Sequence, residues 1–324
     1  MAVYTKVSDT QLAHFLSAYD VGMPRTFKGI AEGVENSNFY LETDRDRFIL
    51  TLYEKRVNAD ELPFFLSLMQ YLVAAGLPTA APIADRKGET LKALNGRPAA
   101  LIQFVTGVSK DAPDEEDCAA LGMMLARLHK ATAGFGGNRK NNLSVEGWKA
   151  LVARCAGRAD ECADGLDTFI NEEVAALARA WPAGDALPRG VIHADLFPDN
   201  VLFTGHEITG IIDFYFACTD FYAYDLSVCL NSWCFDARRK FIPGHARAMI
   251  NAYEAERRLS DVEKKSLPLL ARGASLRFLL TRLYDWLNQE PNALVTVKDP
   301  LEYAEKSRFF RSDELRELLH DKNS

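Results

Sequence analysis

From residue 38 to residue 53 the chain alternates side chains with a period of two. Phe48, Leu50 and Leu52 fall on one side of the run and Ile49, Thr51 and Tyr53 on the other, the pattern of a strand with two distinct faces. Asn38 to Thr43 is its expected hairpin partner, joined through the polar turn Asp44 to Asp46. The period then becomes helical: Leu62, Phe65, Leu66, Met69, Leu72 and Val73 line one face, with Asp60 as the expected N-cap and Gly76 and Pro78 as the stop. An apolar strand from Ala99 to Val105 ends at Thr106 and Gly107. A further helix is expected from Asp114 to about Lys130, opened by Pro113 to Glu116, with Cys118, Leu121, Leu125 and Leu128 inward and His129 structural. The chain beyond Asp213 reads as mostly helical. The fold class predicted is α+β, with an antiparallel-sheet part over residues 1–105 and a mostly helical part over 106–324.

At 324 residues and 48% apolar content the chain has ample material for two cores. Its net charge of −7, with no basic stretch to offset it, argues against a nucleic-acid partner. Six cysteines, at positions 118, 155, 162, 218, 229 and 234, lack paired spacing, as in reduced thiols of a cytoplasmic protein. The opening MAVYTKVSDTQL has no apolar signal-peptide core. The most apolar segment, Leu62 to Leu77, is broken by Ser67 and Gln70 and is too short to span a bilayer, so no membrane partner is expected.

The chemistry concentrates in VIHADLFPDNVLFTGHEITGIIDF, Val191 to Phe214. It holds one HxDxxxxN cluster, His193 to Asn200, and a lone Asp213 at the end of an apolar run. Phosphoryl transfer from ATP needs a carboxylate beside the acceptor hydroxyl and oxygen ligands for a Mg²⁺ ion on the phosphates. Asp195 can be the first; Asn200 and Asp213 can be the second. Phe197 and Pro198 keep the segment between them from continuing a regular element. Val201 to Phe203 should be a short buried strand, Gly205 to Thr209 a turn, and Gly210 to Ile212 the return strand that delivers Asp213. A DxD phosphatase would need a carboxylate where Phe197 stands. A zinc site would need His or Cys at ligand spacing, and His193 and His206 are too far apart.

At these residues the chain resembles the aminoglycoside-phosphotransferase and choline-kinase group, relatives of the protein kinases. The resemblance implies a bilobal protein-kinase-like fold, Asp195 as catalytic base, Asn200 and Asp213 as Mg²⁺ ligands, His193 as a brace of the loop, and Asp225 of YAYDLSVCL as the group that fixes the loop from the following helix. Tyr215 stands where protein kinases have Gly, which speaks against kinase-like flipping of that segment. In KGIAEGVENSN, Gly29 and Gly33 are candidates to admit phosphates close to the backbone, with a turn role as the alternative. The basic residue that such kinases carry on the third strand falls at Thr51. Lys55, two pleats further on, is the candidate substitute, and Glu61 the candidate acidic partner, although a Glu in a first turn also serves the helix dipole. By resemblance, the backbone of Gln103 to Val105 would meet adenine.

The acceptor has to be read from the helical part. Between Asp225 and Glu290 there are eleven Lys or Arg against eight Asp or Glu, which disfavours a polycationic aminoglycoside. A zwitterionic amino acid wants an Arg for its carboxylate and an acid for its ammonium; SLRFLLTRLYDW offers Arg277, Arg282 and Asp285, with an ordinary surface ion pair as the alternative for the last two. ENSNFYLET, FILTLYEKR with its Thr, HADLFPDNVLF, IIDFYFACTDFYAYDLSVCLNSWC and LRFLLTRLYDW together resemble the homoserine kinases built on this fold. That resemblance implies ATP-dependent phosphorylation of the side-chain hydroxyl of L-homoserine, with ATP and Mg²⁺ required. Aminoglycoside, choline and methylthioribose kinases of the same fold, and a non-catalytic nucleotide-binding protein, stand as alternatives.

Overall fold

The computed structural model describes residues 4–30, 36–54, 58–289 and 298–320. Gly33 and Lys55 lie outside the described residues. The chain divides into two compact units, one of residues 1–108 with 209–215 and one of 109–208 with 216–324. The first unit runs to Val108, and residues 209–215, with Asp213 among them, count with it.

The first unit opens with helix α1 (Asp9–Leu16), whose Ser8 and Gln11 close a reciprocal capping box. It continues through β1 (Pro24–Gly29), β2 (Asn36–Thr43), β3 (Arg47–Tyr53), α2 (Leu62–Ala74), β4 (Lys92–Leu94) and β5 (Arg97–Gln103). The strands form one antiparallel sheet in the order β1-β2-β3-β5-β4. The period-two reading holds in register, with Leu41 opposite Phe48 and Asn38 opposite Thr51. Phe48, Leu50 and Leu52 join Leu12, Phe15 and Leu16 of α1 in one buried cluster. Alternation turns Ile49, Thr51 and Tyr53 to the opposite face. Burial of a side chain such as Leu50 contributes roughly 1.5–3 kcal/mol, so the register is fixed by its core face.

Two expectations in this region need correction. Asn58, not Asp60, caps the entry to α2: its side chain accepts the Asp60 N–H at the head of a single 3-10 turn, Ala59–Glu61. Val73 is exposed, whereas Leu68 is buried, because the stripe rotates around the helix by the end of its third turn. The expected stop at Gly76 is present; Gly76 has φ of 82°, a conformation that suits glycine.

The second unit contains α3 (Glu115–Thr132), α4 (Val145–Cys155), α5 (Leu166–Ala180), β6 (Arg189–Ile192), β7 (Val201–Thr204), β8 (Glu207–Ile211, whose last residues belong to the first unit), β9 (Cys218–Phe221), α6 (Tyr222–Trp233), α7 (Pro243–Glu256), α8 (Asp261–Leu287), α9 (Leu301–Phe309) and α10 (Glu314–His320). β6 and β9 pair antiparallel. The turn before β8 is shorter than expected: Gly205 takes a left-handed φ of 64° and the strand resumes at Glu207. Cys118, Leu121, Leu125 and Leu128 of α3 are all buried, and Asp114 caps that helix in a box with Asp117.

At the crossing of α3 and α7, Gly122 leaves no room for a side chain. A Cβ there would lie 2.1 Å from the Met249 carbonyl oxygen, a backbone atom that cannot turn aside. Gly122→Ala should therefore lower stability by roughly 1–3 kcal/mol through overpacking, read as a lower urea midpoint at unchanged slope.

Candidate active site

β6 delivers the loop. It ends at Ile192, His193 is fully buried, and Ala194 turns the chain with a left-handed φ of 64°. Asp195 follows. Pro198 then starts a 3-10 turn, Pro198–Asn200, its fixed φ suiting a first helical position, so the stretch expected to be irregular contains one ordered turn. The Asn200 N–H donates to the Phe197 carbonyl at 3.0 Å, and β7 begins at Val201.

The loop's main chain is held by side chains from two helices. Asp225, in the first turn of α6 and fully buried, accepts the His193 N–H at 2.9 Å and the Ala194 N–H at 2.7 Å. From the same helix Trp233 donates its indole N–H to the Leu196 carbonyl at 2.8 Å. From α8, the buried Arg277 donates one guanidinium nitrogen to the Ala194 carbonyl and the other to Asp195 Oδ1 at 3.3 Å. The Asp195 N–H donates to His193 Nδ1 at 3.3 Å. Asn200 gives its amide N–H to the Asp195 carbonyl at 2.8 Å and lies 3.5 Å from Asp195 Oδ2, which leaves Oδ1 as the amide's ligand atom.

Asp213 is exposed and also left-handed, at φ 64°. It lies in the first unit beside a pair of tyrosines: the Tyr215 and Tyr53 hydroxyls are 2.8 Å apart, and Phe65 of α2 packs edge-on to the Tyr215 ring. Burial holds both phenols far above their ordinary value, reinforced by the nearby Asp213 charge, so both remain neutral donors. A hard divalent cation takes oxygen ligands; the Asn200 amide oxygen and the Asp213 carboxylate are each of that donor type.

The other expected residues fall as follows. Thr51 donates to Asn38 Oδ1 at 2.9 Å, a neutral pair at the position expected to be basic. Gly29 ends β1 opposite Phe39, and Glu61 precedes α2 directly. The Gln103 N–H is taken by the Ala81 carbonyl at 2.8 Å and the Phe104 N–H by the Arg47 carbonyl at 3.1 Å, so Val105 is the first residue past these bonds. Arg277, expected as a contact for the acceptor's carboxylate, is buried and engaged with the loop. Arg282 pairs with Glu302 at 2.6 Å and with the Asp299 carbonyl at 3.1 Å, so it ties α8 to α9; Asp285 is exposed. Asp114, Asp117 and His206 also gather their ligand atoms within 4.8 Å. There the Lys110 ammonium already pairs with Asp117, and both acids close the α3 cap.

His129 belongs to the same network. Its Nε2 bonds Asp225 Oδ2 at 3.0 Å and its Nδ1 meets the Tyr253 hydroxyl at 2.8 Å, which in turn accepts from Arg257 at 3.2 Å. Burial pushes the imidazole below its ordinary value against the pull of Asp225. A neutral ring that donates from Nε2 and accepts at Nδ1 satisfies all three groups. Burial would raise the Asp225 carboxyl, but His129, His193 and the loop amides hold it lowered.

The fold and the clamped HxDxxxxN loop define a phosphotransferase of the kinase-like class. The family model "Phosphotransferase enzyme family" matches residues 26–262. Curated relatives named homoserine kinase include those of Xanthobacter autotrophicus, 56% identical over 96% of this chain and 97% of the relative, and Rhodospirillum rubrum, 55% identical over the same shares. The chain belongs to that phosphotransferase family and, within it, to the homoserine kinases. Similar solved folds include an amicoumacin kinase (TM-score 0.71, 15% identity, 98% of this chain and 94% of that one) and a choline/ethanolamine kinase family protein from Mesorhizobium loti (TM-score 0.63, 16% identity, 96% and 97%).

The depressed His129 makes stability depend on pH. The unfolded imidazole binds a proton as pH falls through its ordinary value of 6.5, whereas the buried one resists it. Its contribution is complete above that value and is lost as pH falls toward the lower folded value. The melting temperature should thus be level above about pH 7 and decline below 6.5, and His129→Gln, which cannot titrate, should flatten that decline in a pH series of thermal scans.

Proposed function

We propose that this protein transfers the γ-phosphoryl group of ATP to the side-chain hydroxyl of L-homoserine, giving O-phospho-L-homoserine for threonine biosynthesis. The observation that carries the acceptor is identity of 56% along almost the whole length of homoserine kinases, the helical part included. The chemistry rests on Asp195, presented on a loop whose main chain is bonded from both sides. In the reaction a bond forms between the acceptor oxygen and the γ-phosphorus as the bond to the β-bridging oxygen breaks. Asp195 orients the hydroxyl and takes its proton. Asn200 and Asp213 would hold Mg²⁺, which offsets charge on the phosphates when bound. His193 accepts the Asp195 N–H and, with Asp225, holds the loop. Val105 would meet adenine through its main chain, and Gly29 would line the approach to the phosphates. The six cysteines are free and five of them buried, which suits work in the cytoplasm; among the described residues no helix is long and apolar enough to cross a membrane.

Asp195→Asn should cut kcat by about 10²- to 10⁴-fold with KM for ATP little changed, measured by coupled ADP release; near-normal turnover would remove Asp195 from the role. Run on the native enzyme with homoserine, choline, methylthioribose and an aminoglycoside, the same assay should respond to homoserine alone. EDTA should abolish turnover and added Mg²⁺ restore it.

A further inference from the structure

We propose that Arg277 is a positioning residue for phosphoryl transfer, acting through Asp195 and not through the acceptor's carboxylate. The inference rests on the reading of Asp195 as the base. Arg277 lies mid-way along α8 in the run Ala274, Ser275, Leu276, Arg277, Phe278, Leu279, Leu280, every member of which is buried. In such surroundings a guanidinium is stabilised by fixed acceptors for its N–H groups; the two terminal nitrogens of Arg277 have them, while its buried Nε has none among the described residues. Here one nitrogen meets the Ala194 carbonyl and another meets Asp195 Oδ1 at 3.3 Å. Its plane lies near two rings, 5.2 Å from the Phe216 centroid and 4.5 Å from that of Phe278, which restrict its rotation.

Two geometric facts give this contact a mechanistic reading. Ala194 is left-handed, so the direction of its carbonyl, and with it the exit of Asp195, depends on what holds the two peptide groups that flank its Cα. Asp225 holds the N–H side and Arg277 the C=O side. The same guanidinium also touches Oδ1, while Asn200 lies by Oδ2, so backbone and carboxylate of the base are oriented by one rigid fork. Lysine carries a single point of charge and cannot reproduce both contacts at once.

The test is a double-mutant cycle on the full-length enzyme with ATP, Mg²⁺ and L-homoserine, using Asp195→Asn, Arg277→Gln and the pair. Arg277→Gln should lower kcat by roughly 10²-fold, with homoserine and ATP KM values within about threefold, and the pair should fall no further than Asp195→Asn alone. Additive losses would show a general structural role and overturn the proposal. So would a raised homoserine KM at normal kcat, the signature of a carboxylate contact. If Asp195→Asn itself turns over normally, the reading of the base fails, and the proposal with it. Should Arg277→Gln not fold, Arg277→Lys decides: it should lose at least tenfold in kcat and show the same coupling to Asp195→Asn.

Discussion

The peptide of Ala194 is the constraint on which the site depends. A left-handed alanine costs about 1–2 kcal/mol relative to a right-handed one, and a bond to a buried ion contributes about 1.5–3 kcal/mol. Ala194 has such a bond on each side, to the Asp225 carboxylate through its N–H and to the Arg277 guanidinium through its carbonyl. The two terms together exceed the strain, so the conformation is over-determined. The dependence also runs the other way. Neither ion would be tolerated alone in the core, and the two peptide groups flanking Ala194 give each a partner.

This arrangement ties the Asp195 carboxylate to the most buried helices of its unit. α6 supplies Asp225 and Trp233, α8 supplies Arg277, and α3 supports Asp225 through His129, which Tyr253 of α7 holds in turn. Motion of Asp195 would disturb several cores at once, which is the preorganisation that phosphoryl transfer requires, since its catalysis is largely positioning. Asp213 shows the same habit in the first unit: a left-handed residue, and two positions on a tyrosine, Tyr215, bonded to Tyr53 and packed on Phe65. Strain at both residues is local, and each is followed by anchored chain.

What could be read from sequence follows the range of the forces involved. The β2–β3 hairpin, α2 and α3 are set by nearest-neighbour periodicity and by burial of one face, and apart from Val73 of α2 their core residues appear at the expected positions. Helix α1 was not anticipated, although Ser8 and Gln11 form a recognisable capping box; eight residues give a weak period. The loop residues were legible because phosphoryl transfer restricts their types and spacing. Arg277 was noticed as a candidate for the acceptor, but its contact with Asp195 spans 82 positions of chain and no local pattern encodes that. Its one local sign was a lone cation in an apolar run, which more often marks a buried tie than an open binding group.

The same helix shows why the charge balance says little about the acceptor. Arg272, Arg277 and Arg282 recur every five residues along α8, so successive ones point about 140° apart around its axis. Each meets a different element: Arg272 bonds Glu173 of α5 at 2.9 Å, Arg277 bonds the loop, and Arg282 bonds Glu302 of α9 at 2.6 Å. Arg257 and Lys264 likewise pair with Glu263 and Glu254. The excess of basic residues in this stretch is therefore largely engaged in holding helices together and presents little free field to an acceptor. Choice between a polycation and a zwitterion cannot come from that count. It comes from the extent of identity to homoserine kinases, which continues through the very helix whose arginines are already paired.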